Sequence, residues 1–416
     1  MRDRALSDIK VIEYADFISG PFCTKFMADM GAEVIKIEEP GYGDSARRCG
    51  PFLDDIPHPE RSGLFLYLNS NKLGITLNLK AESGVRIIKE LVKTADILVE
   101  NRPLSTMKAL GLDYDTLRQI NSALVVTSIT PFGQTGPYSP YKGDDLICSQ
   151  MSGLSYHTPM EGSENPEESP PLKPGGRQSD FIAGNTAAVA SMFAYRARQA
   201  NGVGQHVDIS QQESIASFLR HQVAFYSYDP DGVYPNWYGN RESRLRGIGY
   251  MPCLDGYFIN GCREEYQWRA FLELAIGPGW EQVEILKNLF TEAFELHTFL
   301  DQFVTIRPFI LEWTMEHTKE EITALAQAKG IPIVPANTAE DVFNSEQFSE
   351  RGFFSDIDHP DAGKLRYPGA SYKFSETPWQ IDKPAPCLGQ HNEEIFCGRL
   401  GYSKKELVQL YHSGII

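Results

Sequence analysis

The feature that most constrains this chain is a regular alternation in its first 130 residues. Short apolar, β-branched runs are separated by stretches whose apolar positions recur at helical spacing. KVIEY (10–14), VIKIE (34–38), GITLNL (74–79), ADILVE (95–100) and LVVTSIT (124–130) read as strands. Between them FCTKFMADMGA, GVRIIKELVKTA (84–95) and DTLRQINS carry the helix period. Strands joined by helix-length segments do not form hairpins. They pair in parallel through right-handed crossovers. The expectation is an α/β domain with a mostly parallel sheet.

The pattern then changes. FIAGNTAAVASMFAYRARQA and QESIASFLRHQVAFYSY read as helices around a strand, GQHVDIS. Residues 228–250 are rich in Tyr, Gly and Pro and read as a linker. YMPCLDGYFINGC resembles a hairpin turning at Asp255-Gly256. The helical patterns EEYQWRAFLELA and VEILKNLFTEAFELHTFLDQF follow. At 416 residues the chain is long for one core, so two domains are expected. The expected division is a large domain from 1–224, a smaller one from 225–330, and a return to the large domain over 331–416.

Composition excludes several functions. The net charge of −16 argues against a general binder of nucleic acid or anionic membranes. The seven cysteines (23, 49, 148, 253, 262, 387, 397) contain no C-x-x-C pair and lack metal-like spacing to His. No disulfide framework and no metal site are expected, and a reducing cytoplasm fits. The first residues lack an apolar signal core, and no run of about 18 apolar residues occurs.

GYGDSA (41–46) matches G-x-G-x-x-A after a strand, but RRCGPFLDDIPHP then breaks rather than continues a helix. A dinucleotide fingerprint needs that helix for the pyrophosphate. P-loop, H-E-x-x-H and G-x-S-x-G patterns are absent.

The remaining polar features fall after strands, where open α/β sheets place their sites. Gly20-Pro21 follows the first strand, at a helix start able to receive a phosphate or a thioester carbonyl. Asn101-Arg102-Pro103 follows ADILVE, with Lys108 one to two turns on. PFGQTGPYSPYKGDD follows LVVTSIT and ends in Asp144 and Asp145. Asp180 lies in GGRQSDFIAG, before a helical run. Two readings stand for it: an N-cap accepting a backbone N–H, or a carboxylate aimed at a substrate. In the second, the helix N-terminus favours the anion, and Gly184 on the same face admits a bulky ligand.

YADFISGPFCTKFMADMGAEVIKIEEPGYGD (14–44), ILVENRP, SITPFGQTGPY, the SDFIAG block, GVGQHVDISQQE (202–213) and the ending from LGQHNEEIF onward together resemble the family III CoA-transferases. This is the CaiB/BaiF group, with formyl-CoA, crotonobetainyl-CoA and bile-acid CoA transferases. The resemblance implies a Rossmann-like large domain, a smaller α+β domain from the middle of the chain, and an interlocked homodimer. It places the nucleophile at Asp180, with Asp145 either nearby to orient it or relay a proton, or a solvated loop carboxylate. It implies CoA contacts at Ile18, Asn71, Lys72, Asn101, Arg102 and Lys108, with Lys142 as a further candidate. CoA is then a substrate, no tightly bound cofactor is implied, and the partners are an acyl-CoA, a carboxylic acid acceptor and a second subunit.

Some members carry Arg where Glu39 stands, so one phosphate contact is either missing here or moved to Arg47 or Arg48. The glycine run of the formyl-CoA enzymes has only RLRGIGY (244–250) in its place, so oxalate or formate specificity is not expected. An α-methylacyl-CoA racemase is the first rival, but its Gly-His-Asp segment reads Gly143-Asp144-Asp145 here. The second rival is a non-catalytic acyl-CoA binder. Tyr226, Tyr228, Tyr234, Trp237 and Tyr238 either line an acyl pocket or belong to a domain core.

Overall fold

The structure is a computed structural model that describes residues 4–155, 171–219, 249–286, 289–290, 299 and 302–416. The aromatic group 226–238 and most of RLRGIGY lie outside the described residues. Six strands form one parallel sheet: β1 (Lys10–Tyr14), β2 (Glu33–Glu38), β3 (Leu73–Thr76), β4 (Ile97–Glu100), β5 (Val125–Thr130) and β6 (His206–Ser210). Their order is β3-β2-β1-β4-β5-β6. Strand order reverses between β1 and β4, and in such sheets that switch point opens a crevice at the strands' C-terminal ends.

The central strands are buried on both faces because helices cover both, while the edge strand β6 leaves Asp208 exposed. Val11 and Val99 pack with Cys23, Met27, Ala183 and Ala187, which belong to α1 (Ser19–Asp29) and α7 (Gln178–Asn201). Ile12 and Leu98 face the opposite way, toward α3 (Glu82–Val92) and the C-terminal residues Ile395, Phe396, Ile415 and Ile416. Between these lie α2 (Gly63–Leu68), α4 (Leu104–Leu110), α5 (Tyr114–Ile120) and α6 (Asp145–Met151). The C-terminal segment also closes the β3 edge: His391 Nδ1 accepts from Gly74 N, and Asn392 Oδ1 from Thr76 N.

The described residues divide into two compact units. The first contains the parallel sheet and the C-terminal segment. The second spans described residues between 249 and 348 and is α+β. There β7 (Gly249–Cys253), β8 (Gly256–Asn260) and β9 (Ile333–Pro335) form an antiparallel sheet. Its core gathers Trp268, Phe271, Phe303, Ile306 and Ile310. Ile333–Pro335, read from the sequence as part of the returning segment, hydrogen-bonds to β8 in this unit. The hairpin turn is Leu254-Asp255, one residue earlier than expected, because Gly256 at φ 143° opens β8 paired to Cys253.

A buried ionic cluster sits beneath α1. Lys36 Nζ reaches Glu13 and Asp44 at 2.6 Å each, and Lys72 Nζ reaches Glu13 at 2.8 Å. Burial alone would raise the Glu13 carboxyl, but the two ammonium groups hold it down at about 2.

Candidate active site

A cavity of about 420 Å³ opens at the C-terminal ends of β1 to β4. Its charged lining is Asp16, Glu38, Glu39, Asp44, Arg48, Lys80 and Arg102, with Leu77 and Leu79 among its apolar residues. Arg102 carries its guanidinium 5.1 Å from the Tyr14 ring and 4.0 Å from Asp16. Its backbone N–H is tied to Glu100, a buried carboxyl pushed up to about 7 by burial. Glu39 pairs with Lys80 at 2.6 Å. Of the two arginines proposed to replace a phosphate contact there, Arg48 lines the cavity. Arg47 is fully buried, forked onto Glu38 and Glu60 and stacked on Phe65.

The residues expected to contact CoA separate into two groups. Arg102 lines the cavity, Asn101 stands behind it, and Lys108 is exposed in the last turn of α4. Lys142 is likewise exposed. Ile18 and Lys72 have buried side chains, and Asn71 is half-buried. Ile18 is fully buried at the start of α1. Lys72 gives its ammonium to Glu13, Pro21 O and Asn69 Oδ1, so all three donors are engaged. Asn71, in the left-handed region at φ 63°, clamps Asp29, Gln380, Asp382 and Lys383.

One short segment links the cavity to Asp180. Asn101 brackets Asp16 from both sides, accepting its N–H and donating to its carbonyl. Phe17 follows at φ 70°, costly for a side chain with a Cβ, and is held by its N–H to Asp44. The Arg177 guanidinium lies 5.0 Å from the Phe17 ring, and Phe22 meets Phe181 edge-on. Gly184 faces Ser19 O, where a Cβ would come within 2.6 Å. This glycine admits α1 to α7, so the reading that it admits a ligand is corrected.

Asp180 occupies the third position of α7, is 8% exposed and does not cap the helix. The residue at the cap position, Arg177, makes no side-chain cap bond. Asp145 performs that task from α6: its Oδ1 accepts from the Ser179 N–H and hydroxyl at 2.8 Å each. Lys173 holds its other oxygen at 2.6 Å. Burial would raise the Asp145 carboxyl, but these donors outweigh burial and hold it below its ordinary range. Asp144 caps α6 through Ile147 N.

Gln211, absent from the sequence candidates, donates from Nε2 to Asp180 Oδ1 at 2.9 Å. It is the first residue of α8 (Gln211–Phe218), directly after β6. Asp180 is pushed up to about 6, chiefly by burial and then by the Asp145 charge, against the pull of Gln211 and Arg177. The helix N-terminus expected to favour the anion is outweighed. At neutral pH the carboxylate is still the main form, in a dry setting where its charge is poorly solvated.

Among the described residues one group has metal-ligand chemistry: Glu60, His359 and Cys387. Most of its atoms are engaged elsewhere, the exception being His359 Nε2, which is buried without a hydrogen-bond partner. Glu60 holds Arg47 and the Leu388 N–H, Cys387 donates to Asp361, and His359 Nδ1 accepts two backbone N–H groups.

A six-stranded parallel sheet with a cavity at its switch point is the place where open α/β folds bind their ligands. The model of CoA-transferase family III matches residues 6–392. Succinyl-CoA:glutarate CoA-transferase of Mus musculus is 30% identical over 99% of this chain and 90% of that protein. Succinyl-CoA:(R)-benzylsuccinate CoA-transferase subunit BbsE of Thauera aromatica is 31% identical, covering 95% of each. A crystal structure of a CAIB/BAIF family protein from Brucella suis superposes with a TM-score of 0.83 at 28% identity. It covers 95% of this chain and 100% of that one. The chain belongs to CoA-transferase family III and is an enzyme of that class.

Proposed function

We propose that the enzyme moves CoA from an acyl-CoA to a free carboxylic acid through covalent intermediates on Asp180. The observation that carries this reading is the state of that carboxylate. It is buried, with one oxygen held by Gln211 and, among the described residues, no hydrogen-bond partner on the other. Attack on the donor thioester yields an acyl–aspartyl anhydride and CoA thiolate. The thiolate then adds to the aspartyl carbonyl and stores CoA as a thioester. An acceptor carboxylate reverses the sequence, and no ATP is consumed. Asp145 serves as a positioning residue that fixes the N-terminus of α7. The cavity with Arg48, Lys80 and Arg102 takes the nucleotide end of CoA.

The relatives point to substrate class: those with glutarate and (R)-benzylsuccinate pair succinyl-CoA with a dicarboxylate. This enzyme is assigned the same class, with Arg177 available for a second carboxylate one turn from Asp180. The working state is assigned as a cytoplasmic, interlocked homodimer. Exposed Val189 and Phe193 on α7, and Leu146 and Met151 on α6, support a partner surface. Sedimentation of the full chain tests that assignment.

The chemistry is tested by incubating the enzyme with a panel of acyl-CoAs and hydroxylamine, then measuring peptide masses. A hydroxamate at Asp180, formed only with acyl-CoA, is expected. Unmodified Asp180 with acyl-CoA demonstrably bound overturns the covalent reading and favours the binder or racemase alternatives.

A further inference from the structure

Resting on the covalent reading above, we propose that Gln211 is a catalytic residue. Its amide fixes Asp180 Oδ1, leaves Oδ2 to attack the donor, and then donates to Oδ1 as the oxyanion of the aspartyl intermediates.

The amide's orientation is set from both ends. Nε2 donates to Asp180 at 2.9 Å, and Oε1 accepts from Cys148 Sγ at 3.5 Å. The side chain is 6% exposed, at the start of a helix that Ser210 caps by accepting from Glu213 N. Two other polar neighbours are spent, and Arg177 acts on Asp180 through its charge rather than through a hydrogen bond. Ser179 gives both its N–H and its hydroxyl to Asp145, and Lys173 gives its ammonium to Asp145. Asp145 itself only accepts there, and its charge opposes negative charge on Asp180. Among the described residues, Gln211 is therefore the side chain donating to Asp180.

The bond changes show why this contact counts. An Oδ2 lone pair adds to the donor carbonyl carbon, and the C–S pair leaves on CoA sulfur. The thiolate next adds to Asp180 Cγ, and the C=O π pair moves onto Oδ1. Collapse restores that double bond and breaks Cγ–Oδ2, so the donor acid leaves carrying Oδ2. The acceptor carboxylate then adds to Cγ and expels the thiolate, again through charge on Oδ1. Finally the thiolate adds to the acceptor carbonyl, and its bond to the bridging oxygen breaks. That oxygen stays on Asp180, restoring the carboxylate without proton transfer. Both steps at Cγ place charge on the atom Gln211 touches. A fixed donor at such an atom is worth roughly 10²–10³ in rate.

The test compares wild type with Gln211→Leu and the isosteric Gln211→Glu, using whichever acyl-CoA of the panel labels wild-type Asp180. Gln211→Leu is expected to lower kcat by about 10²–10³-fold with KM within about threefold. The acid limb of kcat should move upward, and further for Gln211→Glu, which sets a second carboxylate against the first. A kcat within about threefold of wild type, or a loss of kcat with the acid limb unmoved in a folded Gln211→Glu, overturns the assignment. Should Gln211→Leu fail to fold, the glutamate variant keeps the shape and carries the test. Failure of the underlying chemistry is told apart: there the wild type itself gives no hydroxamate at Asp180.

Discussion

At the scale of the residue, Asp180 as the proposed nucleophile combines two opposed demands, a buried place and a charged working form. Burial lifts its carboxyl from 3.8 to about 6, so the folded protein holds that proton more tightly than the unfolded chain. Stability from this group is fully present below about 4 and is lost as pH rises through about 6. A shift of about two units corresponds to about 3 kcal/mol at neutral pH. Asp180→Asn should therefore abolish transfer yet raise the melting temperature at pH 7, read by calorimetry. The activity limb runs the other way: turnover should fall as pH drops through about 6, where the nucleophile gains its proton. Asp145→Asn removes a like charge while keeping an acceptor for Ser179, so that limb should move downward in a pH–rate profile.

At the scale of the element, the site depends on how closely α1 and α7 approach. Gly184 sets this distance, and its place opposite Ser19 O leaves no room for a methyl. Gly184→Ala should destabilise the protein by about 1–3 kcal/mol and lower kcat by moving Asp180, measured by urea melts and steady-state kinetics. The β1–α1 loop is the second such device. Asn101 grips Asp16 on both sides, and that loop lines the cavity at one end and carries Phe17 under Arg177 at the other. Asn101→Ala should raise KM for acyl-CoA while α7 keeps its place.

At the scale of the whole molecule, the ionic cluster of Glu13, Lys36, Lys72 and Asp44 joins β1, β2 and the entry to β3 beneath the site. Lys36→Met would leave Glu13 and Asp44 short of a partner in a dry core, at a cost of about 3–5 kcal/mol. A lowered Glu13 pKa makes its contribution present above its ordinary value of 4.5 and lost as pH falls toward about 2. Acid unfolding monitored by circular dichroism should show that loss in wild type and not in Glu13→Gln.

The parallel sheet was legible in the sequence because its central strands are buried on both faces and so read as continuous apolar runs. The carboxylates Asp145 and Asp180 were legible as candidates because both follow turn-rich loops after the sheet's strands. Their division of labour was not. Which of them caps α7 depends on α6 meeting it across 34 residues of chain. The role of Lys72 depends on Glu13 lying opposite it, 59 residues away. Gln211 carried one signal, its place directly after a strand at the sheet's C-terminal edge, but a neutral amide shows no chemistry until a carboxylate is placed beside it. The sequence by itself determined the alternating elements and the pool of reactive side chains, since periodicity and residue type are local properties. The tertiary structure alone decided which groups are desolvated, which are paired and which oxygen is held, because burial and hydrogen bonding join residues that the chain keeps far apart.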